Sequence, residues 1–264
     1  MKVEALPRIS IKHGSHKMRA VIFEKTGSFD ELKYTYVDTP KPGPGEVLIK
    51  IHACALNHLD LWTLKGMPGA KISMPHIMGC DIAGEVIGYG PKTPKLKGPV
   101  LVAPGISCGR CAQCKNGWDS LCDRYKILGF QINGGYAEFA VVPAVNVIPV
   151  SKVLTCEEWA ALPLVSMTAW HMLVTRARLK KGETVLIHSA GSGVGSMAIQ
   201  IAKHLGARVI TTVGSDEKIK KAKLLGADHV IQYEKKNFAD EVKILTDGRG
   251  VNVVVEHIGP ATFQ

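Results

Sequence analysis

The sequence predicts two domains of different class, α/β plus β: a β-rich, barrel-like domain followed by a doubly wound α/β domain. Three observations carry this. Residues 18–150 hold many short β-branched runs separated by Gly and Pro. From about residue 184 onward, strand-like and helix-like patterns alternate. A small-residue turn, Ser189 to Gly195, sits at the first strand-to-helix junction of that second half.

In chain order, residues 1–17 read as an extension detached from the fold. A β pattern opens at Met18, which marks Met18 as a candidate true start; a basic targeting arm is the functional alternative for the extension. The turn Lys41-Pro42-Gly43-Pro44-Gly45 introduces a strand over Glu46–Ile51. Further strands are expected over Ala83–Ile87, Pro99–Val102 and Tyr136–Val142, the last opened by Gly134-Gly135. The texture changes near residue 150. Helices are expected over Glu157–Leu162 and Ser166–Arg178. The second domain, 151–264, then runs strand 184–188, helix 194–205, strand 207–213, helix 216–225, strand 229–232, helix 237–246 and strand 251–256.

The turn inside Glu183–Leu205 organises that domain. Thr184–His188 is short, apolar and β-branched, as a buried parallel strand should be. Val194, Ala198, Ile201, Ala202 and Leu205 then fall on one helical face. Strand, small-residue turn and helix in that order leave unpaired N–H groups at the positive end of a helix dipole, which is a phosphate site. Gly191-x-Gly193-x-x-Ser196 is an imperfect dinucleotide fingerprint; Ala190-x-Ser192-Gly193-Val194-Gly195 fits a variant with small residues at its first two positions.

Composition narrows the function class. The apolar fraction of 46% suits a globular core, and no apolar run reaches membrane-spanning length. The net charge of +10 favours acidic ligands. Lysines cluster at Lys218, Lys220, Lys221 and Lys223 and at Lys92, Lys95 and Lys97, yet no aromatic residues interleave with them, which argues against nucleic acid as the primary partner. With no signal peptide evident, the expected location is the cytoplasm.

Four of the seven cysteines lie together: Cys108, Cys111, Cys114 and Cys122, spaced C-x2-C-x2-C-x7-C. Four thiolates close a tetrahedral zinc shell with no open position, the pattern of a structural site. An iron–sulfur cluster is the competing reading. Gly105, Gly109 and Gly117 supply turns for the loop.

Together these features resemble the medium-chain dehydrogenase/reductase superfamily, the zinc-type alcohol dehydrogenases and their quinone oxidoreductase relatives. The similarity runs from Met18 to Gln264 through MRAVIFEKTG, PKPGPGEVLIKI, NHLDLW at Asn57–Trp62, GCDIAGEV at Gly79–Val86, the cysteine lobe, NGGYAEF at Asn133–Phe139, AALPLVSMTAW at Ala160–Trp170, and AGSGVG. It implies a GroES-like barrel domain with a structural zinc lobe, followed by a Rossmann domain that binds NADP or NAD.

The departures from the family pattern carry the functional reading. Members with catalytic zinc place Cys, His and Cys where this chain has Asn57, Cys80 and Leu164. Leucine cannot ligate zinc and an Asn amide is a poor ligand. The resemblance therefore implies hydride transfer to a quinone, enone or aldehyde without catalytic zinc, with a zinc alcohol dehydrogenase using Cys80, Asp81 or His76 as the alternative. A truncated nucleotide-binding fragment without turnover is the non-enzyme alternative. By position, Asn57 would hydrogen-bond the acceptor oxygen, Asp60 support the site, Trp62 and Cys80 shape the pocket, and Asp81 replace the glutamate behind the metal. His58 would approach the pyrophosphate and Thr168 the nicotinamide. Asp60 as a helix cap, and Trp62 and Cys80 as plain core, are the alternatives.

The second strand of the α/β domain ends Thr212-Val213-Gly214-Ser215, without the acid that normally binds the adenosine ribose. Ser215, Lys218 and Tyr233 match residues that hold a 2′-phosphate in quinone reductases of the family, so NADPH is expected over NADH, with Asp216 as the complicating carboxylate. The final family strands and the return to the barrel domain have no counterpart, and Gly98-Pro99 replaces the family's Gly-Asp-Arg. A C-terminally truncated chain is expected, with a homo-oligomer or a complementing C-terminal polypeptide as partner beside the small-molecule substrate.

Overall fold

The computed structural model describes residues 17–260, 262 and 263. The expected 1–17 extension lies outside these, apart from Lys17. The chain divides between Pro163 and Leu164 into two compact units.

The first unit is built from β1 (Lys17–Phe23), β2 (Lys33–Asp38), β3 (Glu46–Ala55), α1 (His58–Lys65), β4 (His76–Ile77), β5 (Asp81–Tyr89), β6 (Pro99–Val102), β7 (Gly105–Ile106), α2 (Ala112–Lys115), β8 (Lys126–Ile127), β9 (Phe139–Pro143), β10 (Val147–Pro149) and α3 (Cys156–Ala160). The strands form a five-stranded sheet ordered β10-β6-β5-β3-β9, a three-stranded sheet β2-β1-β4 and the hairpin β7-β8. Val47, Ile49, Ile82, Val100, Val102 and Val142 fill the core of the larger sheet. Alternate residues of β1 (Met18, Ala20 and Ile22) build the second cluster with Ile77, because successive strand side chains face opposite ways.

Two differences from the expected elements have local causes. The strand expected over Glu46–Ile51 continues to Ala55, because Ala53, Cys54 and Ala55 keep pairing with β5 past a register shift. The β9 strand begins at Phe139, not Tyr136. Residues 136–138 instead stitch the two larger sheets together: Val21 N donates to Tyr136 O (2.8 Å), Glu138 N to Arg19 O (3.1 Å) and Ile51 N to Glu138 O (2.9 Å). The backbones of β3 and β5 approach so closely that a Cβ on Gly84 would lie 2.1 Å from Lys50 O, so only glycine fits there.

The second unit continues from α4 (Pro163–Trp170) into a single π-helical stretch, His171–Arg176, in place of the uniform helix expected to Arg178. There follow β11 (Thr184–Ile187), α5 (Gly193–His204), β12 (Arg208–Val213), α6 (Asp216–Leu224), β13 (His229–Gln232), α7 (Phe238–Leu245) and β14 (Val253–Val255). All pairings are parallel, in the order β13-β12-β11-β14. Helices cover both faces, which is why the strands read as unbroken apolar runs. Val185, Ile187, Val209 and Val213 pack with Ala198, Ile199 and Ala202 of α5. Leu186, Ile210 and Ile231 face the other way and pack on Val242 of α7.

Candidate functional site

The cysteine lobe hangs between β7 and β8. The Sγ atoms of Cys108, Cys111, Cys114 and Cys122 all lie within 4.8 Å of one another. Zn–S bonds of about 2.3 Å in a tetrahedron give sulfur–sulfur edges of about 3.8 Å; Cys108 and Cys114 stand at 3.9 Å, Cys111 and Cys114 at 3.4 Å. Backbone amides already point at the sulfurs: Cys111 N at Cys108 Sγ, and Cys108 N and Arg124 N at Cys122 Sγ, each at 3.4 Å. Such donors favour thiolate, and amides at Arg110 and Cys111 bring the Cys108 thiol down to about 6. Gly109 and Gly117 adopt positive φ and turn the loop as expected. Gly105 does something else: it lies in β7, where a Cβ would meet Tyr125 Oη at 1.9 Å. Chemistry and spacing of this donor set fit one tetrahedral metal ion.

A second polar cluster forms where β3, α1 and β5 meet. Asn57 precedes the first turn of α1, and its amide Nδ2 donates to Asp81 Oδ2 at 2.8 Å and lies 3.4 Å from Cys80 Sγ. Asp60, the third residue of that helix, accepts from Asn57 N (2.7 Å), Gly79 N (3.2 Å) and the Tyr136 hydroxyl (2.6 Å). It therefore both caps the helix and anchors the pocket floor. Cys80 and Asp81 are each 1% exposed. Burial, reinforced by the Asp81 and Asp60 charges, drives the Cys54 and Cys80 thiols well above the usual thiol range, so both stay protonated. Trp62 is half exposed and its ring meets His58 edge-on at 4.9 Å, on the surface of α1. Tyr136 was not anticipated as part of this group. Its signal was its place in NGGYAEF, where a half-buried phenol needs an acceptor.

The glycine turn belongs to the second unit. Ser192 is the N-cap of α5, its Oγ accepting from Gly195 N at 2.9 Å and donating to Ser189 O at 2.9 Å. The first-turn amides of a helix have no partner within it, so those at Gly193 and Val194 face outward as anion donors. Ala190 is buried beneath the turn. A Cβ on Gly195 would sit 2.2 Å from Ser189 O, so the helix approaches the turn more closely than any side chain permits. That cradle fits a dinucleotide pyrophosphate.

The residues expected around the adenosine ribose gather at the same end of the sheet. A Cβ on Gly191 would lie 3.1 Å from Lys218 Cδ, which places the Lys218 side chain across the turn. The Tyr233 hydroxyl covers Gly214 at the tip of β12, where a Cβ would stand 2.6 Å from it. Ser215 is the N-cap residue of α6, and its side chain makes no capping bond. Asp216 is drawn to Lys235 in an exposed ion pair, away from the turn. Thr168 is half-buried on α4.

Three further side chains flank the turn that periodicity could not single out: His188 just after β11, and Glu256 and His257 just after β14. Their positional signal was available, since ligands of open parallel sheets lie beyond the carboxyl ends of the strands.

Residues 43–152 match the family model for the alcohol dehydrogenase GroES-like domain, and residues 193–264 that for zinc-binding dehydrogenase. The NAD-dependent alcohol dehydrogenase of Sulfolobus acidocaldarius is 35% identical over 250 residues, spanning 92% of this chain and 71% of that protein. A crystal structure of an NAD-dependent alcohol dehydrogenase superposes with a TM-score of 0.88 at 45% identity, over 92% of this chain and 71% of that one. The quinone oxidoreductase of Pseudomonas syringae pv. tomato DC3000 superposes with a TM-score of 0.79 at 31% identity, over 93% of this chain and 68% of that one. A barrel-type β unit carrying a cysteine lobe, a parallel sheet with a pyrophosphate turn, and these relatives agree: the chain belongs to the medium-chain dehydrogenase/reductase superfamily of oxidoreductases, with a GroES-like domain followed by a Rossmann domain.

Proposed function

We propose that the chain reduces a quinone, an enone or an aldehyde with NADPH, that its reacting centre works without zinc, and that its cysteine lobe holds one structural zinc. The observation that carries this reading is the Asn57–Asp81 hydrogen bond beside Cys80. An amide donating to the buried carboxylate occupies the place where a Lewis-acidic metal would need a thiolate.

The bound dinucleotide supplies the hydride. The remaining work falls to the chain's own groups. Oxidation of a simple alcohol needs alkoxide stabilisation by a metal, whereas a quinone or enone needs only a donor for the oxygen that gains charge. Asn57 supplies it: one N–H is held by Asp81, and the other rests on Cys80 Sγ at 3.4 Å, a weak acceptor that the substrate oxygen would replace. Asp60, fixed by Tyr136 and Gly79, holds the Asn57 backbone in place. His58 and Thr168 are assigned to the pyrophosphate and the nicotinamide.

The preference for NADPH rests on the tip of β12. Gly214 offers no carboxylate, Asp216 is paired with Lys235, and Lys218, Ser215 and Tyr233 surround the place a 2′-phosphate would take. Four thiolate ligands suit a reducing compartment, so we place the protein in the cytoplasm; no helix among the described residues is long and apolar enough to cross a membrane.

The test is steady-state reduction of quinone and enone panels with NADPH and with NADH, alongside zinc analysis. One zinc per chain and NADPH-dependent reduction support the reading. Chelator-sensitive oxidation of simple alcohols with two zinc ions per chain overturns it.

A further inference from the structure

Beside the glycine turn, a run of hydrogen bonds links the ends of β11 and β14. The Ser189 amide donates to Thr212 Oγ1 at 3.1 Å. The Thr212 hydroxyl also lies 3.3 Å from His188 Nδ1. His188 Nε2 faces Glu256 Oε2 at 3.9 Å. Glu256 is held from the other side by Ile258 N, Gly259 N and the Thr262 hydroxyl. This fixes the backbone that follows β14, and with it the position of His257.

His257 Nε2 lies 3.3 Å from Ser192 Oγ, the N-cap oxygen of α5. Ser192 has one hydroxyl proton, and Ser189 O takes it at 2.9 Å. Toward His257 the oxygen can only accept, so the imidazole carries its proton on Nε2 and aims it at the mouth of the phosphate cradle. Because His257 is exposed, it is free to redirect that N–H.

We propose that His257 is a cofactor-binding residue, which donates Nε2–H to a pyrophosphate oxygen of the bound dinucleotide next to the first-turn amides of α5. This rests on the reading that the glycine turn binds a dinucleotide. The residue sits at the carboxyl end of β14, on the far side of the turn from Lys218, so His257 serves the pyrophosphate while Lys218 serves the 2′-phosphate. The charged and titratable groups facing it are Glu256 on its own segment, His188 at the end of β11 and Lys218 across the turn. A phosphate partner favours the imidazolium form, so dinucleotide binding raises the His257 pKa and tightens as pH falls.

The experiment measures Kd for NADPH by fluorescence in wild type, His257→Ala and His257→Gln, each shown to retain the wild-type circular dichroism and zinc content. Competition by 2′-AMP, which lacks a pyrophosphate, is measured alongside. The expected result is a Kd raised about tenfold or more in His257→Ala, with partial rescue in His257→Gln, loss of the pH dependence in both, and unchanged 2′-AMP competition. An unchanged Kd in His257→Ala overturns the proposal while leaving the dinucleotide reading intact. An equal loss for NADPH and 2′-AMP also overturns it, because a merely structural role moves both. Wild type that binds neither NADPH nor NADH overturns the dinucleotide reading, and the proposal with it.

Discussion

Asn57 Nδ2 and Asp81 Oδ2 stand 2.8 Å apart, with the Asp81 carboxylate 1% exposed. A carboxylate that deep needs a donor to offset its desolvation. The amide is that donor here, and this pairing shapes the chemistry the pocket can host.

Breaking the pair should be costly to turnover. Asp81→Ala is expected to lower kcat/KM for quinone or enone reduction by about ten- to a hundredfold, because Asn57 then loses the acceptor that orients it. Zinc content is expected to stay at its wild-type value. Steady-state kinetics with metal analysis on the same preparation checks both.

The cysteine lobe should fail independently of the nucleotide site. Cys111→Ser removes one of four ligands whose sulfurs lie within 4.8 Å of one another. Loss of zinc and a lowered Tm are expected, since a structural zinc site contributes folding energy outright. NADPH affinity is expected to hold, because the glycine turn lies in the other unit. A Cys111→Ser protein that keeps full zinc occupancy contradicts the assignment.

Cofactor choice should move with the tip of β12. Lys218→Ala is expected to weaken NADPH about tenfold and to leave NADH nearly unchanged. Gly214→Asp should reverse the preference, although the new side chain must also displace the Tyr233 hydroxyl, 2.6 Å from where its Cβ would stand. Equal effects on both cofactors would show that Lys218 serves the pyrophosphate alone.

Gly195→Ala tests the cradle directly. Its Cβ would lie 2.2 Å from the Ser189 carbonyl, a backbone atom that cannot swing aside. A loss of stability of about 1–3 kcal/mol is expected, together with loss of dinucleotide binding. Thermal melts and the fluorescence titration separate the two effects.

The fold should also weaken in mild acid. Burial holds the His76 pKa below its ordinary 6.5, with the Gly129 and Ser73 backbone opposing weakly, and burial does the same for His188 against the opposing Glu256 charge. Between the folded value and 6.5 the unfolded chain binds more protons, so stability rises with pH across that window and falls as pH drops below about 6.5. Among the described residues His76 Nε2 is buried without a hydrogen-bond partner, so His76→Leu is expected to flatten the slope of Tm between pH 7.5 and 5.5 at little cost at neutral pH. An unchanged slope would assign the acid sensitivity elsewhere.

Much of the fold is legible in the order of the residues. Strand and helix periods place β11 through β14 and their helices within a few residues, because a parallel sheet covered on both faces requires unbroken apolar strands and one-sided helices. Cysteine spacing alone brings four sulfurs into one loop, since ligands three residues apart stay neighbours in any compact turn. Short local patterns were legible for the same reason: their partners lie nearby in the chain.

Tertiary structure decided what depends on contacts between distant residues. Asp60 is 76 residues from Tyr136, and Asn57 is 24 from Asp81; no period links them. Helix α1 surfaced in the sequence only through Asp60 as a possible cap, because HLDLWTLK has no one-sided apolar pattern and is fixed by Asp60 at its start. The direction of Asp216 was undecidable until α6 and the segment after β13 were placed side by side, where Lys235 claims it. The placing of His188, Glu256 and His257 around one turn follows from the parallel pairing of β11 with β14, which joins chain segments almost 70 residues apart through hydrogen bonds that the sequence pattern does not specify.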